Sequence, residues 1–551
     1  MPRYNRAALL ACAALATPVC ATATPTASFD YVAYEGQQET VADGEFANPV
    51  VPGFHPDPSI VKVGDDFYLT NSTFSWFPGL PIMHSRDLVN WTQIGNAIDR
   101  PGMVDLSRTT LTGDGLYAPA ITWHDGTFYI LNTCVRCDGN FIISATDPAG
   151  PWSDPVILDF GGIDPSLFVD ANGRGWITYN DAPVGEPRYE GHRAIWIREF
   201  DLATNRLVGD PTLLVDGGVV KEDNPIWAEG PHIYEVEGWY YLLAAEGGTA
   251  DQHSQTIYRS RNITGPYEAG PVNPILTQRN MDPARPDRVE ATGHADFVQL
   301  DDGSWWGVFL ATRPYANQDT LMGRETFLLP VEWKDGWPIF LERGKTVPMT
   351  LRRPNLPPRQ GMDFNEWRVD FDDAALGPEW LRVRGAPMVQ NVALSGGRLQ
   401  LMPDSASLSR IEKPAFVGRR LRHHEASFTT AVEFSPAAEG DFAGLAAVAS
   451  EQAFVSMGIL GTAQGPVLAA LSRDGQDAPA NGAILASTPW AAGKAELKID
   501  FDQGRADFSY RVPGARNWTT LAQDVDVAHL ASVRSNLFTG LVVGPYAVSA
   551  D

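Results

Sequence analysis

Four residues of this chain can exchange protons or share charge, and they fall at matching places in a repeated phrase: Asp57, Asp164, Glu229 and His294. They stand in Asp57-Pro58-Ser59-Ile60, Asp164-Pro165-Ser166-Leu167, Glu229-Gly230-Pro231-His232 and His294-Ala295-Asp296-Phe297. Paired carboxyl groups on either side of a glycosidic bond can hydrolyse it. One stays ionised and activates water, and the other stays protonated and donates to the leaving oxygen. A third carboxylate can hold the acid's pKa up by like-charge repulsion. A single Asp-Pro pair would do no more than start a strand. Three acidic residues at equivalent positions of repeated units are different, because crowded carboxylates cost stability and such strain points to function.

The elements that must bring these residues together are legible in the same phrase. A fifth copy, Ala118-Pro119-Ala120-Ile121, completes the series, and successive copies begin 46 to 65 residues apart. Each is followed by a Gly-containing turn and an aromatic run, as in Asp125-Gly126-Thr127-Phe128-Tyr129 and Asp302-Gly303-Ser304-Trp305-Trp306. Asx-Gly between β-rich runs is a hairpin signal. Repetition at this period predicts one supersecondary unit copied around a ring. Five antiparallel blades make a propeller, which leaves few exposed sheet edges. First strands line a propeller's axis, so the four residues should converge there.

A second phrase recurs at matching blade positions: Ser85-Arg86-Asp87 ending at Trp91, Ser144-Ala145-Thr146-Asp147 ending at Trp152, and Ser260-Arg261-Asn262 ending at Tyr267. It reads as a later strand and its turn. The fold expected is all-β: a five-bladed propeller over 46–346, a Pro- and Arg-rich linker over 347–362, and a C-terminal β-sandwich over 363–551. The sandwich is read from short alternating runs such as Glu425–Phe434. Residues 1–23 read as a secretion signal, with Arg3 and Arg6 before an apolar run and Ala21-Thr22-Ala23 as the cleavage site. Residues 24–45 are expected to be a loose lead-in. Beyond the signal only Cys134 and Cys137 remain, either as a local disulfide or as two free thiols.

The net charge of −25 excludes a nucleic-acid or anionic-membrane partner and is compatible with a neutral carbohydrate. No stretch after the signal approaches the ~18 apolar residues that span a bilayer. Sixteen Trp are many for this length; most should be blade core.

Together these motifs resemble glycoside hydrolase family 43. The residues that carry the resemblance include Gly53-Phe54-His55-Pro56-Asp57-Pro58, Ser72-Thr73-Phe74-Ser75-Trp76, Gly162-Ile163-Asp164-Pro165, Ala228-Glu229-Gly230-Pro231-His232, Ala245-Glu246-Gly247-Gly248-Thr249, Thr292-Gly293-His294-Ala295 and Gly323-Arg324-Glu325-Thr326. It extends from about residue 48 to the end and is most specific in the propeller. It is closest to β-xylosidases and α-L-arabinofuranosidases that carry a C-terminal sandwich of the concanavalin or laminin-G kind. The resemblance implies an inverting exo-glycosidase that releases xylose from the non-reducing end of xylo-oligosaccharides. The alternatives are an α-L-arabinofuranosidase, an enzyme with both activities, or, remotely, an inactive carbohydrate-binding protein. It implies Asp57 as general base, Glu229 as general acid, and Asp164 as the residue that orients the acid and tunes its pKa. Phe74, His294 and Arg324 match residues that line the sugar pocket. For His294 the competing reading is a buried, hydrogen-bonded imidazole beneath the site. For Arg324 it is a structural ion pair with Glu325. The chemistry requires no cofactor; because some relatives use the equivalent His to hold a metal ion or water in the axis channel, calcium is the ion to test for.

Two departures stand out. Tyr117 occupies a position where many relatives have Trp, which leaves the sugar preference open. Relatives also continue past a phrase like Phe538–Gly544 into a last strand, whereas this chain ends at Ala550-Asp551, as a truncated one would. Phe538 best matches a sandwich Phe that closes the pocket in relatives; the other reading is sandwich core. The expected partner is a xylo-oligosaccharide or an arabinoxylan fragment, met in the periplasm or outside the cell.

Overall fold

Each copy of the repeated phrase becomes the inner hairpin of its own antiparallel sheet. This is seen in a computed structural model of the protein, which describes residues 25–37, 40–220, 223–385, 391–491, 493–536 and 538–550. The secretion signal expected at 1–23 lies outside the described residues. The five inner strands are Ser59–Val63, Ala120–His124, Ile163–Val169, Glu229–Val236 and Glu290–Gln299. Each pairs with the strand that follows its turn, and the sheets hold four or five strands. The turn glycines Gly64, Gly126, Gly173, Gly238 and Gly303 all have positive φ, which explains why the phrase repeats glycine there.

The inner strands are tied to one another in a ring. The amide of Ile121 donates to Ser59 Oγ at 3.0 Å, and Thr122 Oγ1 donates to the Leu167 carbonyl at 2.8 Å. Ser166 Oγ donates to the Pro231 carbonyl at 2.5 Å, and the Tyr234 hydroxyl donates to Asp296. Asp296 closes the circle by accepting from Ser59 Oγ at 2.8 Å and the Ile60 amide at 2.9 Å. Ser59 and Ser166, and Asp296 at the same place in the fifth copy, are therefore inter-blade fasteners. The chain also closes the ring at its start, where Val51 and Thr326 exchange backbone bonds and Asn48 brackets Leu328.

The second unit is a sandwich of an eight-stranded and a seven-stranded sheet. Its largest core gathers Phe29, Val32, Phe428, Leu445, Val455, Leu497 and Phe508 between the sheets. Here the structure corrects the expected lead-in over 24–45. Ala27–Gly36 is a strand inside the eight-stranded sheet, paired with Glu425–Glu433 on one side and with Leu399–Leu401 and Glu366–Val369 on the other. Its inward residues Ala27, Phe29, Val32 and Tyr34 are buried, and that burial draws it out of solvent. The expected linker likewise contains a short strand, Thr350–Arg352, paired with Glu45–Ala47. Cys134 and Cys137 form a disulfide.

Candidate active site

The chain bends where four of the five inner strands begin, and the bend aims the functional side chain at the axis. Asp57, Asp164 and His294 have φ of 51°, 55° and 50°, unusual for residues with a Cβ. The ladder slips between Ile163 and Ser166, between Glu229 and His232, and on both sides of Gly293. Such bulges re-aim side chains next to active sites. In the fourth blade the positive φ of 56° falls on Gly230, one residue after Glu229. Gly230 is also required by space. A Cβ there would lie 2.8 to 2.9 Å from the His294 ring, which packs directly on this backbone.

The result is one pocket lined by every residue singled out from the sequence: Asp57, Phe74, Tyr117, Asp164, Glu229, His294, Arg324 and Phe538. The three carboxyl groups are buried there and divide by environment. Burial alone would raise the Asp57 pKa, but Arg324, His294 and the Ser72 hydroxyl outweigh it and hold this group below its ordinary value. Arg324 grips Asp57 with Nη1 at 2.8 Å and Nη2 at 3.4 Å, and Ser72 Oγ donates at 2.5 Å. Glu229 goes the other way: burial first, then the charges of Asp164 and Asp57, push it well above the usual carboxyl range. Asp164 is also raised, by burial and then by Asp57, while its Oδ2 accepts from the Gly230 amide at 3.2 Å. Asp164 therefore touches the backbone beside Glu229 as well as its field. Asp57 is built to be ionised, and Glu229 to hold a proton.

This arrangement predicts the effect of Asp164→Asn. Removing its charge removes one of the influences that raise Glu229, so Glu229 should deprotonate at lower pH. The alkaline limb of the kcat profile should move down by on the order of one pH unit. An unmoved limb in a pH–rate series would contradict the tuning role.

The pocket wall is aromatic and comes from both units. Phe74 lies 5.4 Å from Tyr117 and 5.4 Å from Phe538, centroid to centroid, and Arg324 sits over both Phe74 and Phe538. The Tyr117 hydroxyl donates to the Gly113 carbonyl, and burial pushes its pKa up to about 12. Phe538 reaches the wall because the units touch backbone to backbone. A Cβ at Gly540 would lie 2.2 Å from the Met322 carbonyl oxygen, and one at Gly323 would lie 2.5 Å from the Gly540 amide nitrogen.

Arg324 lines the pocket, and its ion pair is with Asp57 rather than with Glu325. Glu325 takes Arg313 at 2.7 Å and the Gly53 amide at 2.7 Å, which leaves Arg324 for Asp57. His294 is buried and also lines the pocket, with Nδ1 3.6 Å from Asp57 and a pKa lowered to about 3, chiefly by burial. Ala118, Ile163, Thr249 and His253 complete the lining. Ala118, Ile163 and Thr249 sit inside motifs already noted. His253 carries no repeat or motif signal. Its Nδ1 lies 3.0 Å from the Ala291 carbonyl and its Nε2 has no partner.

Calcium does not fit these residues. Among the described residues no three His, Cys, Asp or Glu side chains form a metal-holding group. The ionisable neighbours of His294 are Asp57, His232, His253 and Arg324, and the one carboxylate among them is already paired with Arg324, whereas calcium takes six to eight oxygens.

Comparison with known proteins adds an independent line. Residues 46–338 match the family described as Glycosyl hydrolases family 43, and residues 368–551 match the Beta xylosidase C-terminal Concanavalin A-like domain. A non-reducing end alpha-L-arabinofuranosidase of Bacteroides ovatus is 39% identical over 419 residues, which cover 75% of each chain. A xylosidase/arabinosidase of Butyrivibrio fibrisolvens is 38% identical over 412 residues, covering 72% of this chain and 76% of that one. A solved family 43 structure retrieved from a capybara gut metagenome superposes with a TM-score of 0.87 at 34% identity, covering 95% of this chain and all of that one.

Proposed function

The chain belongs to glycosyl hydrolase family 43 and is a glycoside hydrolase; from that premise we propose that it removes single xylose residues from the non-reducing end of β-1,4-linked xylo-oligosaccharides, with inversion. The observation that carries this reading is the division of protons inside one small aromatic pocket. Asp57 is held ionised by Arg324, and Glu229 is held protonated by burial and by Asp164. A sugar ring enclosed by Phe74, Tyr117 and Phe538 would present its anomeric carbon between the two. Asp57 takes a proton from water as the water attacks, the glycosidic bond breaks, and Glu229 gives its proton to the departing oxygen. No covalent sugar forms. The match of the sandwich to a β-xylosidase domain supports xylose as the sugar.

Proton NMR during xylobiose hydrolysis tests substrate and mechanism together. α-Xylose should appear first, before mutarotation. Initial β-xylose, or a trapped glycosyl-enzyme, would mean double displacement, and absence of turnover would reject the substrate.

α-L-Arabinofuranose is the second reading, supported by the name of the B. ovatus relative and by Tyr117 at the pocket wall. Release of 4-nitrophenol from the xyloside and from the arabinofuranoside ranks the two.

The same proposal places the enzyme in the periplasm or outside the cell. Its support is the signal-like segment at residues 1–23 and a disulfide that suits an oxidising compartment. The mature protein recovered from those fractions should begin at about residue 24 by N-terminal sequencing. A protein that starts at Met1 and stays in the cytoplasm would reject it.

A further inference from the structure

Two tryptophans among the described residues are more than a third exposed, Trp123 at 39% and Trp227 at 38%. Trp123 lies at the hairpin end of the strand Ala120–His124, away from the end that carries the pocket residues. Trp227 stands two residues before Glu229. It also shares the backbone state of the pocket residues, with φ of 53° against 51° for Asp57, 52° for Phe74 and 55° for Asp164. A bulky residue rarely adopts this conformation, and strain of this kind persists only where the surroundings impose it.

The surroundings here are specific. The Trp227 amide donates to the Gly191 carbonyl at 2.8 Å, and the Ile226 carbonyl accepts from the Gly247 amide at 2.8 Å. Arg193 lies over the indole at 5.3 Å. Its guanidinium is anchored in turn by two bonds to Asn180 Oδ1, at 3.0 and 2.9 Å. Asn180 donates to the Ala228 carbonyl at 2.5 Å, immediately before Glu229. The indole is thus fixed to the residues that position Glu229. It also packs beside the segment that reaches the pocket, because a Cβ on Gly248 would lie 3.7 Å from Trp227 Cδ1 and the next residue, Thr249, lines the cavity.

We infer that Trp227, backed by Arg193, is the platform for the leaving-group sugar, the ring on the reducing side of the cleaved bond. This rests on Glu229 being the acid. An acid must face the leaving oxygen, so the departing ring lies on the Glu229 side of the pocket, where Trp227 is the exposed aromatic surface. The C–H face of a pyranose packs on a flat aromatic ring, and a rigid indole offers that area with few rotors to freeze. Arg193 holds the ring by cation–π contact.

The test compares two xylosyl donors. Xylobiose has a sugar leaving group, and β-D-xylosyl fluoride has none. In Trp227→Ala, kcat/KM on xylobiose should fall roughly tenfold or more, the loss of one stacked ring contact. Turnover of the fluoride should stay within about twofold, and Trp227→Phe should recover most of the xylobiose activity. Equal losses on both donors, or an undiminished kcat/KM on xylobiose, would overturn the assignment. Wild-type enzyme that cleaves arabinosides rather than xylosides would overturn the substrate reading alone. The same comparison, made with an arabinofuranosyl-xylose and arabinofuranosyl fluoride, then decides the platform.

Discussion

Asp57→Asn should lower kcat on xylobiose by about 10³-fold or more, in the upper range for loss of a positioned general base. Asparagine has nearly the same shape and still fills the space between Ser72 and Arg324. It cannot take a proton from water. The environment explains why the loss should be this large. Arg324, His294 and Ser72 keep Asp57 below the ordinary carboxylate pKa, so the wild-type group is ionised at neutral pH, where the amide has no basic oxygen to offer. Circular dichroism should show the folded state retained, because the variant removes a charge and leaves no cavity. Retention of even a tenth of wild-type kcat would mean that another group activates the water.

Glu229→Gln should split substrates by the quality of their leaving group. On xylobiose the loss should be about 10²- to 10⁴-fold, the usual worth of general acid catalysis. On 2,4-dinitrophenyl β-xyloside it should be under about tenfold, because that leaving group departs without a proton. The alkaline limb should also vanish on the activated substrate, since the group whose deprotonation causes it is gone. In the wild type that limb lies high because burial and the neighbouring carboxylates raise Glu229. Equal losses on the two substrates would remove Glu229 from the role of acid.

The catalytic centre was legible in the sequence because a propeller places equivalent residues on one axis. Once the phrase that begins at Asp57, Asp164, Glu229 and His294 is aligned, convergence follows from topology and needs no long-range contact to be guessed. What lay off the repeat was harder to read. His253 and Trp227 sit in loops whose paths are set by blade packing, and no periodic signal marks them. The partner of Arg324 was missed for a related reason. Asp57 is 267 residues away and is reached only because the fifth blade closes on the first. The strand Ala27–Gly36 was missed for a local reason. Its alternation breaks at a register shift between Phe29 and Val32, so the period-two pattern reverses partway along.

That strand ties folding to the order of synthesis. Its inner partner on the sandwich sheet begins at Glu425, and the Thr430 hydroxyl bonds the Tyr31 carbonyl across 399 residues of chain. A ribosome adding about 5–20 residues per second takes roughly 20–80 s to make that stretch. For most of that interval the five blades can emerge and close, while an apolar, β-rich segment waits in the nascent chain with no edge to join until Glu366–Val369, the first of its partners, is made. The last unit to be made is therefore the one that captures the first, and the propeller matures as an insertion within a sandwich that does not yet exist.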